Sequence, residues 1–92
     1  MIVRFRHRGL KQFFEKGTIR YLNADQVPKI RRILGLLDAA TGPKSLDLPG
    51  YRLHPLRGDL KGFWSVEVTG NWRIIFRFEK ENVYDVDLID YH

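Results

Sequence analysis

The chain has 92 residues, enough for one domain with a modest core, and residues 1–92 contain neither a linker nor a repeat. Sixteen Lys and Arg stand against eleven Asp and Glu, and the resulting net charge of +5 and pI of about 9.8 suit a polyanionic partner such as nucleic acid, an acidic protein or a membrane surface. The absence of cysteine excludes a thiolate nucleophile, thiolate metal ligands and any need for an oxidising compartment. Met1-Ile2-Val3-Arg4-Phe5-Arg6 breaks its apolar residues with charge and so has no signal-peptide core, and no other stretch approaches a membrane span. The expected location is the cytoplasm.

In chain order, Val3 and Phe5 alternate with Arg4 and Arg6, which predicts a short first strand with its charged side outward. Leu10, Phe13 and Phe14 at helical spacing predict a helix over residues 8–16, ended by Gly17. A second helix opens on a capping box, Asn23-Ala24-Asp25-Gln26, in which the Asn23 and Gln26 side chains are expected to satisfy each other's free backbone amides. Val27, Ile30, Ile33, Leu34 and Leu37 form its apolar stripe, against Lys29, Arg31 and Arg32 on the other face. Pro28 belongs in a first turn, so either the helix begins nearer Asp25 or its first turn is distorted. Thr41-Gly42-Pro43 stops this helix, and a loop follows to Pro49-Gly50.

From Tyr51 onward the pattern is that of antiparallel sheet. Trp64, Val66 and Val68, then Trp72, Ile74, Phe76 and Phe78, then Tyr84, Val86 and Leu88 repeat with period two and are expected to face the helices. Matching like faces pairs Val68 with Trp72 across a three-residue turn, in which Asn71 takes the left-handed conformation; the same rule pairs Phe78 with Tyr84 and Trp72 with Asp90. Arg73 then lies opposite Ile89 and diagonal to Tyr91, on the face turned away from the helices, and Arg77 faces Asp85. His54 shares that outward parity with Arg52. The fold expected is therefore α+β, a small antiparallel (mixed) sheet with two N-terminal helices packed on one face, and its outer surface collects His54, Arg73, Tyr91 and His92.

His54-Pro55-Leu56-Arg57-Gly58-Asp59, Gly62-Phe63-Trp64-Ser65-Val66, Asn71-Trp72-Arg73-Ile74 and the final Asp90-Tyr91-His92, with Gly9-Leu10, Phe14-Glu15-Lys16-Gly17 and Leu37-Asp38-Ala39-Ala40-Thr41 before them, resemble the HigB-type killer toxins of the RelE/ParE superfamily. The resemblance spans nearly the whole chain and rests on the order and spacing of these motifs. It implies a ribosome-dependent endoribonuclease that cuts messenger RNA in the A site of the 70S ribosome. It also implies a cognate helix-turn-helix antitoxin that represses the shared operon, so that any association with operator DNA is indirect.

The same resemblance carries His54, Arg73 and Asp90, Tyr91 and His92 over as site residues. Arg57 stands where relatives often have Lys; a guanidinium keeps the charge but does not release a proton near neutral pH, so Arg57 can hold a phosphate and cannot act as a base. Cleavage without metal or cofactor needs an acceptor for the ribose 2'-hydroxyl proton, a donor for the departing 5'-oxygen and cations on the phosphorane. The two imidazoles fit the proton transfers, Arg57 and Arg73 the phosphate, and Tyr91 the orientation or stacking of RNA. Which histidine is acid and which is base is open at this point. The adjacent chain-end carboxylate expected beside His92 favours it as the acid.

Plainer readings exist for each residue. His54 could be an ordinary surface histidine, Arg73 could pair with acids in the sheet, and Asp90 could anchor backbone amides or orient a histidine. The basic cluster Arg4, Arg6, Arg8 and Lys11, with His7, could grip ribosomal RNA or form a solvated charged face. Trp64 and Trp72 are expected in the core. Three widely spaced histidines without cysteine make no recognised zinc pattern. The alternative functions are a gyrase-poisoning toxin of the same fold, which would need no proton-transfer residues, and a non-catalytic RNA-binding module.

Overall fold

The computed structural model describes residues 1–91, so His92 lies outside the described residues. Helix α1, Arg8–Lys16, starts where His7 Nδ1 accepts the Leu10 N–H at 3.1 Å and ends on Gly17, whose left-handed φ of 73° lets its N–H donate to the Phe13 carbonyl at 2.9 Å. Leu10 and Phe13 are buried. Phe14 turns out instead and leans on the Phe5 ring, centroids 5.6 Å apart.

The expected capping box forms by half. Asn23 Oδ1 accepts the Asp25 N–H at 3.0 Å, but the buried Gln26 side chain donates to Thr69 Oγ1 at 2.9 Å, tying this corner to the sheet. The cap opens a 3-10 turn, Ala24–Gln26, and helix α2, Val27–Ala39, begins only after it. Pro28 thus occupies the first turn, where its missing N–H costs nothing. Val27, Ile30, Ile33, Leu34 and Leu37 are all buried, as the stripe predicts.

Four strands make one antiparallel sheet in the order β1 (His54–Pro55), β2 (Trp64–Thr69), β3 (Trp72–Glu79), β4 (Asn82–Asp90). The α+β architecture is as expected, with both helices packed on the face that presents Val66, Val68, Ile74, Phe76, Val83 and Val86. The segment before α1 forms no strand. It touches β4 through two isolated parallel bridges, Ile2 to Val83 and Phe5 to Val86, and buries Ile2 while Val3 is 50% exposed.

Two β-bulges overturn parts of the expected register, because an extra residue reverses which face the following residues meet. In β2 the bulge at Val68 sets Thr69, not Val68, opposite Trp72. The turn is therefore two residues, Gly70-Asn71, and Gly70 takes the left-handed conformation (φ 55°) expected of Asn71. In β4, Asp85 and Val86 together oppose Phe76, with Asp85 at φ 56°. Phe78 consequently pairs with Val83 and Arg77 with Tyr84, so Val83 enters the core in place of Tyr84. Trp72 is a further correction: it shares the parity of the helix-side face but lies outside the core and is 39% exposed. Trp64 packs against the core, as expected.

The outer face is not wholly polar either. Leu56, Phe63 and Ile75 form a second small core there, with Leu60 and Ile89 against it. The loop between β1 and β2, which includes a 3-10 turn at Gly58–Leu60, folds over the sheet to build it.

Candidate active site

Arg52 sits at φ 50°, a region side chains seldom adopt, and its carbonyl oxygen lies 3.0 Å from Nδ1 of the exposed His54. A carbonyl can only accept, so this bond places the proton of the neutral ring on Nδ1 and leaves the Nε2 lone pair open. Antiparallel pairing sets His54 opposite Ser65, in a row that continues to Ile75 and Asp87 across the outer face. Arg57 follows three residues later, exposed at the start of the 3-10 turn, where Leu56 N–H to Phe63 O (2.9 Å) and Phe63 N–H to Leu60 O (2.9 Å) fix the loop.

Arg73 occupies the next outward row, between Glu67 on β2 and Ile89 on β4, as expected for Ile89. It is held rather than free. Its Nη1 donates to the carbonyls of Gly70 at 2.8 Å and Trp72 at 3.3 Å and lies 3.5 Å from Glu67 Oε2, while its Nε is buried without an acceptor. His54 and Arg73 thus share a face two strands apart, roughly 10 Å across the sheet.

Asp90 pairs with Trp72, as the register predicts, and is exposed at the end of β4. Tyr91, 43% exposed, continues beyond the strand and is anchored by its N–H to the Asn71 carbonyl at 2.8 Å. The strand therefore carries its order right up to Tyr91. The third member of this end, His92, is beyond the described residues.

The basic cluster divides. Arg8 and Lys11 are exposed on α1, and the Arg6 guanidinium lies over the Phe63 ring at 5.0 Å, on the outer face. Arg4 is committed elsewhere: it donates from Nε and Nη2 to the two carboxylate oxygens of Asp85 at 2.7 and 3.1 Å. Arg77 also donates to Asp85, at 2.8 Å, so the expected contact forms although Arg77 pairs with Tyr84 in the register. Arg77 bonds Glu79 as well, and Tyr84 lies beneath the guanidinium groups of Arg4 and Arg77, at 5.5 and 5.1 Å. The hydrogen bond from Arg4, reinforced by Arg77, pulls the Asp85 carboxyl down from 3.8 to about 2.

A hollow of about 300 Å³ on the opposite side, lined by Phe13, Phe14, Gly17, Arg31, Leu34 and Gly35, lies between the helices and away from these groups. Among the described residues, no three His, Asp or Glu side chains gather as a metal site would require. Two participants escaped the sequence reading, Arg52 with its carbonyl on His54 and Glu67 with its carboxylate on Arg73. The outward parity of Glu67 was readable from Val66 and Val68 beside it, but its partners depend on the register.

Comparison with known proteins places the chain in a family. Residues 3–92 match the model of the HigB-like toxins, described as RelE-like toxins of type II toxin–antitoxin systems. The chain is 44% identical to Endoribonuclease HigB of Proteus vulgaris over the full length of both, and 34% identical to Toxin HigB-1 of Vibrio cholerae over 80 residues, 85% of this chain and 84% of that one. Among solved structures, YafQ from E. coli superposes with a TM-score of 0.63 at 20% identity, covering 96% of this chain and 89% of the other. The YoeB dimer from Staphylococcus aureus gives 0.61 at 16%, covering 99% and 94%. At these identities the two structures speak to the fold.

Proposed function

The chain belongs to the HigB-like toxin family and is the endoribonuclease toxin of a type II toxin–antitoxin pair, and we propose that it cuts messenger RNA in the ribosomal A site by metal-independent acid–base chemistry. The observation that carries this reading is the exposed His54, whose Nδ1 is occupied by the Arg52 carbonyl so that Nε2 can take a proton. In the reaction His54 accepts the 2'-hydroxyl proton, the 2'-oxygen attacks phosphorus, and the 5'-oxygen leaves with a proton from His92. Arg73 and Arg57 hold the non-bridging oxygens as charge builds on the phosphorane. Tyr91 stacks on or orients a base, and Asp90 anchors the end of β4 or orients a histidine. Arg6, Arg8 and Lys11 approach ribosomal RNA, whereas Arg4 contributes through its hold on Asp85.

The partners in this reading are the 70S ribosome with its message and a cognate helix-turn-helix antitoxin, which links the toxin indirectly to operator DNA. The cytoplasm is the matching location; among the described residues no helix is long and apolar enough to cross a membrane. The small core of Leu56, Phe63 and Ile75 takes up part of the outer face, which leaves little polar surface with which to align flexible RNA, so the ribosome supplies the alignment, an effect that reaches about 7–11 kcal/mol in the best intramolecular models. The test is cleavage of one transcript, naked and on programmed ribosomes, by toxin exposed to chelator and then freed of it. Efficient cutting on ribosomes alone is expected. Equal cutting of naked RNA, lasting loss restored by zinc, or inhibited DNA supercoiling without cleavage would overturn the reading.

Arg57→Lys is expected to keep substantial activity in the same assay, because an exposed cation on a fixed loop can meet a phosphate as a point charge. Complete loss would show that the two-pronged contact of a guanidinium is required.

A further inference from the structure

We propose that Glu67 is a positioning residue for the cleavage, acting through Arg73; the proposal rests on the ribonuclease reading. Glu67 projects from β2 onto the outer face between two arginines, 3.5 Å from Arg73 Nη1 and 4.0 Å from Arg52 Nε. The contacts are unequal. The Arg52 side chain is 76% exposed, and so wet a pair contributes little, whereas the Arg73 and Glu67 side chains are 16% and 25% exposed. Arg73 is thus a cation drawn largely out of water, and the carbonyls of Gly70 and Trp72 can orient its N–H groups but cannot balance its charge. Glu67 does.

The consequence reaches the reacting phosphate by two routes. Held at Nη1 by Glu67 and the turn carbonyls, the guanidinium keeps Nη2 in a fixed direction for phosphate oxygens, which is the state a clamp must occupy before substrate arrives. Arg73 also grips the Gly70 carbonyl, and the next residue of that turn, Asn71, accepts the Tyr91 N–H. Glu67 therefore steadies the turn that anchors the tail. The Val68 bulge, immediately after Glu67, bends β2 into this turn and brings the three groups together.

The experiment is single-turnover cleavage on programmed ribosomes by the native protein, Glu67→Gln, Glu67→Asp, Arg73→Ala and the Glu67→Gln/Arg73→Ala double variant, each with its melting temperature. Glu67→Gln is expected to lower the cleavage rate at saturation by about tenfold or more with half-saturation nearly unchanged, and Glu67→Asp to recover most of the loss. On the Arg73→Ala background the same substitution should add less than about a twofold loss, since the group through which it acts is gone. Unimpaired Glu67→Gln, losses that simply multiply in the double variant, or a Glu67→Gln protein that melts early would overturn the proposal. Native protein that cuts nothing on ribosomes would defeat the ribonuclease reading and this proposal with it; native activity beside an unaffected Glu67→Gln defeats only the role of Glu67.

Discussion

His54→Ala is expected to lower message cleavage on programmed ribosomes by about a hundred- to ten-thousand-fold, the range for losing a general acid or base, with the fold unchanged. The side chain is exposed, belongs to neither apolar cluster and sits on a two-residue edge strand, so its removal opens no cavity. Substitutions at such positions usually move stability by no more than about 0.5 kcal/mol. The bond it loses, from Nδ1 to the Arg52 carbonyl, leaves that oxygen to water. His54→Gln sharpens the test, because an amide preserves a donor and much of the volume but cannot carry the proton away. Both variants should be equally inactive in single-turnover assays, unaltered in melting temperature and non-toxic in growing cells. Activity within about tenfold of native for either would remove His54 from the chemistry and leave it a surface residue.

Periodicity made the helices legible because each turns one face to the core: α2 buries its five predicted residues, and α1 buries Leu10 and Phe13 while Phe14 turns out. The sheet was legible only up to its bulges. Nothing in the run Asn82 to Leu88 announces that Asp85 adopts a left-handed backbone; that conformation is stabilised by Arg4, more than eighty residues earlier, and by Arg77 on the neighbouring strand. Once the extra residue is inserted, Tyr84 and Val83 exchange faces. Trp72 failed for a different reason: its parity was right, but how far the core extends along that face is a tertiary property.

The candidate site shows the same division. The outward parity of His54 and Arg73, and the pairing of Trp72 with Asp90, were readable because no bulge separates Arg73, Ile74 and Ile75 from Asp87, Leu88 and Ile89. The second core under the 3-10 turn was not, since Leu56 and Phe63 come from the loop between β1 and β2 and Ile75 from β3, with no shared period. Nor was the orientation of the His54 ring, which depends on a positive φ at Arg52.

Asp85→Asn is expected to cost about 2 kcal/mol, the scale of hydrogen bonds to a charged group, and to lower the melting temperature by roughly 10 °C at this chain length. Asn tolerates the left-handed backbone of residue 85 as Asp does, so the change isolates the carboxylate charge from strain in the bulge. What it removes is a shared acceptor that fastens the N-terminal segment, through Arg4, to the middle of the sheet, through Arg77. The acid dependence identifies the cause. Because the folded carboxyl is depressed from 3.8 to about 2, its contribution is complete above about pH 4 and is lost as pH falls through about 2. Native protein should therefore lose more stability than Asp85→Asn across that interval, and the two denaturation midpoints should converge toward pH 2. Chemical denaturation of both proteins at several pH values between 2 and 7 measures this directly. Parallel curves, or a melting temperature within a degree or two of native, would show that the Arg4–Asp85–Arg77 cluster leaves stability unaffected and that the bulge is held by packing of Val83 and Val86 alone.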